Sequence, residues 1–286
     1  MNVKIVSDSA CDLPTETLHK LNVYCLPLGV TIGGEEFEDG KTITPDQVYS
    51  LMRDGEAPKT SQVSPQAFRD AFTSFARENQ PFIYFALSSE LSGTYQTAKM
   101  IEQEVKEDFP DAHFEVIDTK AVSMGYGLIV MRAAELAAAG KGFDEILEIG
   151  QYLGNHMEHI FTVDDLEYLY RGGRVSKSAA FVGSLLRIKP LLHVEDGKLI
   201  PLEKIRGAKK VLKRMVEVMK ERGSSLDQQR IAISHGDDLE NAEKLADLIR
   251  EEFGTKQIEI EMVGSVIGAH AGPGTIALFF LNQPPK

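Results

Sequence analysis

The sequence predicts an α/β fold in two parts: a largely parallel sheet domain over residues 1–158 and an α+β domain over residues 159–286. Three observations carry this expectation. Short apolar runs of strand length alternate with helical patterns through the first half, which implies right-handed crossovers and a parallel sheet. After a helix over 143–155 and a strand near 160–163 the alternation gives way to short helices, the pair Gly172-Gly173 and a hairpin-like segment. Finally, a chain of 286 residues exceeds the usual size of one hydrophobic core.

The elements follow in order. Residues 3–7 read as a strand bounded by the polar turn DSACDLP, and Pro14 opens a short helix over 15–20. Residues 23–30 read as one apolar strand, Gly33-Gly34 turns the chain, and Thr44-Pro45 starts a helix through Met52. Lys59-Thr60-Ser61-Gln62 reads as a polar loop, and Ser64-Pro65 starts a helix through Arg77. Residues 82–87 form a continuous apolar run, after which Ser88 to Thr94 caps a helix to about Lys106. Residues 113–117 repeat the pattern before an Ala-rich helix from Ser123 to Ala139, ended by Gly140. A helix over 143–155 and a strand near 160–163 come next, then a hairpin over 191–201 turned at Asp196-Gly197. Amphipathic helices over 208–221 and 239–253 flank a strand over 230–234, with later strands over 257–263 and 275–281.

Composition narrows the function. A net charge of −12 disfavours nucleic acid and anionic lipid, which it repels at long range. The charge is uneven: from Arg171 to Arg214 twelve Lys/Arg stand against Glu195, Asp196 and Glu203, a local balance of +9. No apolar run approaches the length needed to span a bilayer, and the N-terminus MNVKIVSDSA lacks the regions of a secretory leader. Two cysteines, Cys11 and Cys25, are too few for a disulfide framework and lack the spacing of a zinc site. These features point to a cytoplasmic protein without stable membrane insertion.

The candidate chemistry sits at four places. Ser88-Ser89-Glu90-Leu91-Ser92-Gly93-Thr94-Tyr95 lies where an apolar strand becomes a helix; free amides and the helix dipole there favour an anion, although a serine before a helix is also the ordinary capping residue. Thr60-Ser61 has the hydroxyls of a binding loop or of simple turn chemistry. Gly268-Ala269-His270-Ala271-Gly272-Pro273-Gly274 frames a histidine with glycines in a rigid-turn sequence, allowing close approach of a ligand. Tyr170-Arg171-Gly172-Gly173-Arg174 offers two guanidinium groups, either a solvated cationic face or a site for an anion or acidic partner. Nucleotide-binding glycine motifs do not occur, and His156-Met157-Glu158-His159 does not match H-E-x-x-H, so no metal is expected. Ser92 also lacks the leading glycine of a G-x-S-x-G elbow.

Taken together, DSACDLP, KTSQ, SSELSGTYQTA, LYRGGRVSK, residues 200–207 and GAHAGPG, in this order from Asp8 to Thr275, resemble the DegV family of bacterial fatty-acid-binding proteins. The resemblance implies a two-domain fold with an acyl chain in an apolar tunnel at the junction, no cofactor and no catalytic residue. Carried over by position, Thr60 and Ser92 bind the carboxylate of a long-chain fatty acid and His270 completes the site, with Ser61, Gly93 and Thr94 adjoining it. It also implies a partner, an ATP-dependent fatty-acid kinase that converts the presented carboxylate to an acyl-phosphate for phospholipid synthesis. Arg171, Arg174 and Arg206 would then contact that partner or neutralise the incoming phosphoryl group. The chain departs from the pattern at Gln62-Val63-Ser64-Pro65, where many relatives read Gln-Pro-Ser. Two alternatives use the same residues: an acyl hydrolase with Ser92 as nucleophile and His270 as base, or a regulatory module that senses a lipid.

Overall fold

The computed structural model describes residues 2–176 and 188–285. Lys177 and Arg187 of the basic stretch lie outside the described residues. The chain opens with β1 (Lys4–Asp8), a 3-10 turn at Ser9–Cys11, α1 (Thr15–Lys20), β2 (Tyr24–Leu26), β3 (Gly29–Ile32), β4 (Glu35–Glu38) and α2 (Pro45–Arg53). It continues through β5 (Lys59–Ser61), α3 (Pro65–Arg77), β6 (Phe82–Ala86), α4 (Thr94–Asp108), β7 (Phe114–Asp118), α5 (Ser123–Ala138) and α6 (Phe143–His156). The second half comprises β8 (Met157–Thr162), α7 (Leu166–Arg171), β9 (Ile188–Glu195), β10 (Lys198–Arg206), α8 (Ala208–Arg222), β11 (Arg230–His235), α9 (Leu239–Phe253), β12 (Gln257–Met262), α10 (Ser265–Ala271) and β13 (Ile276–Leu281).

The N-terminal sheet is parallel throughout in the order β2-β1-β6-β7. Its central strand β6, FIYFA, is buried at every position because helices cover both faces of a parallel sheet. The six-stranded sheet β10-β9-β8-β13-β11-β12 is mixed, with β11 and β12 parallel and the other pairs antiparallel. Its hairpin turns at Asp196 and Gly197, both at the positive φ that a two-residue turn between twisted strands requires. Local chemistry sets the helix starts. Pro65 stands where a missing N–H is harmless, and Ser64 Oγ accepts from the Ala67 amide at 3.1 Å.

Period-two alternation divides the six-stranded sheet into two faces. Ile276, Leu278 and Phe280 of β13 join Ile160 of β8 in the cluster under α8 and α9, whereas Ala277, Phe279 and Phe161 face the opposite side. There α5 packs against β1 of one sheet and against β8, β11 and β13 of the other. α5 is buried over most of its surface, as a helix between two layers is, and only its C-terminal half shows an exposed side, at Arg132 and Ala138. Among the described residues no helix is long and apolar enough to cross a membrane.

The architecture departs from the sequence pattern at three places. The apolar run 23–30 is two strands: Pro27, with no N–H to donate, separates β2, which pairs with β1, from β3, which pairs with β4 and β5. The polar segment 59–62 is a strand for most of its length, because β3 supplies a partner for Lys59–Ser61. The glycine-framed histidine lies on a helix; residues 268–271 form the end of α10, and the chain turns after it at Gly272 and Gly274, at φ 82° and 79°.

Candidate functional site

Four segments distant in sequence converge at one end of a cavity of about 240 Å³. β5 brings Thr60, whose Oγ1 lies 2.7 Å from His270 Nε2 at the end of α10. The junction between β6 and α4 brings Leu91, Ser92 and Gly93, and the turn after α7 brings Arg174. These segments are tied together. Arg174 Nε donates to Leu91 O at 3.0 Å and its Nη1 donates to Gly172 O, while Gln62 Nε2 donates to Thr97 Oγ1 at 2.8 Å, joining β5 to α4. The His270 ring lies directly on Gly172, where a Cβ atom would stand 2.1 Å from Nδ1.

Each anticipated residue has a definite place. Thr60, Ser61, Ser92, Gly93 and His270 line the cavity. Ser61 is exposed, with Oγ turned toward Gly29 across the strand pair. Thr94 is fully buried behind Ser92, its hydroxyl 2.8 Å from Ser92 Oγ and its amide donating to that same oxygen at 3.2 Å. Arg174 lines the cavity, whereas Arg171 and Arg206 are exposed outside it, Arg171 standing 5.0 Å over the Tyr168 ring. The sequence reads Gln62 only as part of a polar loop and Arg174 as a contact for an anion, the partner or the phosphoryl group, whereas both line the cavity. The spacing of Gln62 after Thr60 is a usable signal; the Arg-Gly-Gly-Arg motif signals an anion contact, but which arginine turns inward depends on the distant contact of Arg174 with Leu91.

The polar end is open, and the interior is mostly apolar, with Ser123, His159 and Thr275 as its buried polar side chains. Ser61, Gln62 and Gly93 are exposed, while Leu28, Leu87, Leu169, Val263 and Phe279 are buried. Burial, with the Arg174 charge second, pushes the His270 pKa down to about 4, so the imidazole is neutral at pH 7 and offers one donor and one acceptor. Burial also lowers the Arg174 pKa, yet a guanidinium stays protonated. Among the described residues no carboxylate is paired with Arg174. One fixed positive charge, a neutral imidazole and two hydroxyls at the mouth of an apolar cavity suit a single anionic head with an apolar tail. The hydrolase arrangement lacks its pair: the hydroxyl in contact with His270 is that of Thr60, and Ser92 Oγ is engaged with Thr94.

His159 lines the interior and is 1% exposed. Its Nε2 accepts from the Val122 amide at 3.2 Å, so Nδ1 carries the hydrogen toward Met157 O at 3.1 Å. His156 instead meets Asn282 Oδ1 at 2.8 Å. Among the described residues no group of three His, Cys, Asp or Glu side chains is placed to hold a metal ion.

Burial lowers the His159 pKa to about 4, below the ordinary 6.5. The unfolded chain therefore binds the proton first, and the stability contribution, complete above about pH 6.5, is lost as pH falls toward 4. Asp8 acts oppositely, since burial raises its pKa to about 6 and its contribution falls as pH rises from 3.8 through 6. We expect the stability difference between wild type and His159→Leu to shrink by on the order of 3 kcal/mol between about pH 7 and pH 4. Denaturant unfolding across that range measures it, and a pH-independent difference would contradict a buried neutral imidazole.

The model of the DegV family, an uncharacterised protein family, matches residues 2–283. The chain belongs to the DegV family. A DegV domain-containing protein of Clostridium perfringens is 41% identical over 98% of this chain and 97% of its own length. Among solved structures, a fatty-acid-binding DegV protein from Thermus thermophilus superposes with a TM-score of 0.89 at 31% identity, covering 98% of this chain and 99% of that one. A stearic acid-binding protein from Eubacterium ventriosum gives a TM-score of 0.86 at 31% identity and 97% coverage of both chains. The fatty acid kinase B3 protein of Streptococcus pneumoniae, loaded with linoleic acid, gives 0.87 at 26% identity, covering 99% of this chain and 100% of that one. Fatty-acid binding is thus a property of DegV relatives across most of the length of this fold.

Proposed function

We propose that this chain is a non-catalytic cytoplasmic carrier that holds a long-chain fatty acid with its tail in the apolar cavity and its carboxylate at Thr60, Ser92, His270 and Arg174. The observation that supports this most is the convergence of those four residues at the mouth of a cavity whose interior is mostly apolar. The tail supplies affinity: at about 0.8 kcal/mol per methylene, a palmitoyl-length chain contributes on the order of 10 kcal/mol before the costs of binding. The head-group contacts set orientation and prevent an unpaired carboxylate, which would cost several kcal/mol. Denaturing extraction of the purified protein followed by mass spectrometry should release fatty acid at near-equal stoichiometry. Protein that carries none, and takes up none when incubated with palmitate, would refute the carrier reading.

The finer reading is that the carboxylate is presented to a fatty-acid kinase. It draws support from the likeness to the kinase B3 protein and from the exposed basic residues of the chain. Arg171 and Arg206 are exposed, and charges at a rim govern association rate more than retention of a buried ligand. Arg206→Glu is therefore expected to slow association with the kinase by about tenfold at low salt, with acyl content unchanged. Biosensor association rates paired with extraction of bound lipid measure both quantities; loss of lipid in the variant would move Arg206 into the ligand site.

A further inference from the structure

We infer that the row formed by His159 and Phe279 is a fixed stop that sets the longest acyl chain the cavity accepts. This rests on the fatty-acid reading and deepens it. Strand β13 serves as a ruler: Thr275, just before it, donates its hydroxyl to Ala271 O at 3.0 Å and so adjoins the residue after His270 at the mouth. From there the cavity-facing residues step away as Ala277 and Phe279, and the antiparallel pairing sets Phe161 beside Ala277 and His159 beside Phe279. The four steps from Thr275 to Phe279 span roughly 14 Å, which puts His159 and Phe279 at the end remote from His270.

Nothing in this row is free to yield. The His159 ring is held at both nitrogens, by the Val122 amide and by Met157 O, and meets Phe279 edge-on with centroids 5.3 Å apart. Behind it stands the backbone of α5, so close that a Cβ on Gly125 would lie 2.5 Å from His159 Nε2 and 2.8 Å from Phe279 Cδ1. A chain one or two methylenes too long cannot displace the ring without breaking a buried hydrogen bond, and it cannot push into the helix. The wall therefore discriminates by length.

The test is competitive loading of delipidated wild type, His159→Ala and Phe279→Leu with an equimolar series of saturated straight-chain acids from lauric to arachidic, followed by extraction and mass spectrometry. Both variants open the row, and Phe279→Leu does so without removing a hydrogen-bonding group, so it carries the test if His159→Ala does not fold. The retained acids should shift toward longer chains, with the ratio of longer to shorter acid rising about fourfold for each methylene newly accommodated. An unchanged chain-length profile in either folded variant, with wild type normally loaded, overturns the stop while leaving the carrier reading standing. Failure of wild type to retain any acid overturns both.

Discussion

Gly172→Ala is expected to weaken fatty-acid binding by about 30- to 100-fold while the fold persists. The reasoning is steric and local. Gly172 has φ −69° and ψ −13°, a conformation that alanine adopts without strain, so the backbone itself accepts the substitution. The new Cβ would, however, stand 2.1 Å from His270 Nδ1 and 3.0 Å from Cε1, and the ring must leave. With it goes the 2.7 Å contact between His270 Nε2 and Thr60 Oγ1, so the head group loses a partner in a half-buried setting. Isothermal titration with palmitate gives the affinity. The double variant Gly172→Ala/His270→Ala sharpens the result, because removing the ring removes the clash, and it should bind no worse than His270→Ala alone. Additive losses would mean that Gly172 acts by some route other than His270.

Arg174→Gln is expected to cost about 100-fold or more in affinity, the largest effect of a single substitution at the mouth. The side chain brings the only full positive charge among the described residues that line the cavity, and two of its nitrogens already brace Leu91 O and Gly172 O. A carboxylate entering that region without the guanidinium would be poorly paired in a partly desolvated site. Arg174→Lys should recover part of the loss, since it restores charge without the planar fork. A second readout separates electrostatics from packing. Arg174 helps to depress the His270 pKa from 6.5 to about 4, so Arg174→Gln should raise it, and NMR titration of the imidazole reports the direction. An unmoved His270 pKa would mean that the guanidinium does not act on the head-group region through its charge.

Several residues that line the candidate site stand out in the sequence for a physical reason. Ser92 sits where a buried strand turns into a helix and His270 between glycines, and such local patterns survive in the sequence because neighbouring residues create them. What could not be read was which of these groups touch. The pairing of Thr60 with His270 spans 210 positions and exists because β5 joins β3 and α10 packs against α2 and α7. The same dependence explains the departures in secondary structure. Lys59–Ser61 is too short and polar to announce a strand, and only a partner strand makes it one. Residues 268–271 stand beside Gly272-Pro273-Gly274, which reads as a turn rather than a helix, yet packing holds them as one, in line with the small size of intrinsic propensities beside tertiary contacts. The cavity wall lay nearer to hand: alternation along IALFFL assigns Ala277 and Phe279 to one face and Ile276, Leu278 and Phe280 to the other.

The most direct test of the central claim is a crystal structure with a long-chain fatty acid brominated at its terminal carbon, the bromine located by anomalous scattering. The carboxylate should lie within hydrogen-bonding distance of Thr60, Ser92 and His270, facing Arg174, and the bromine should fall beside His159 and Phe279. A carboxylate at the His159 end, or an acyl chain outside this cavity, would contradict the account.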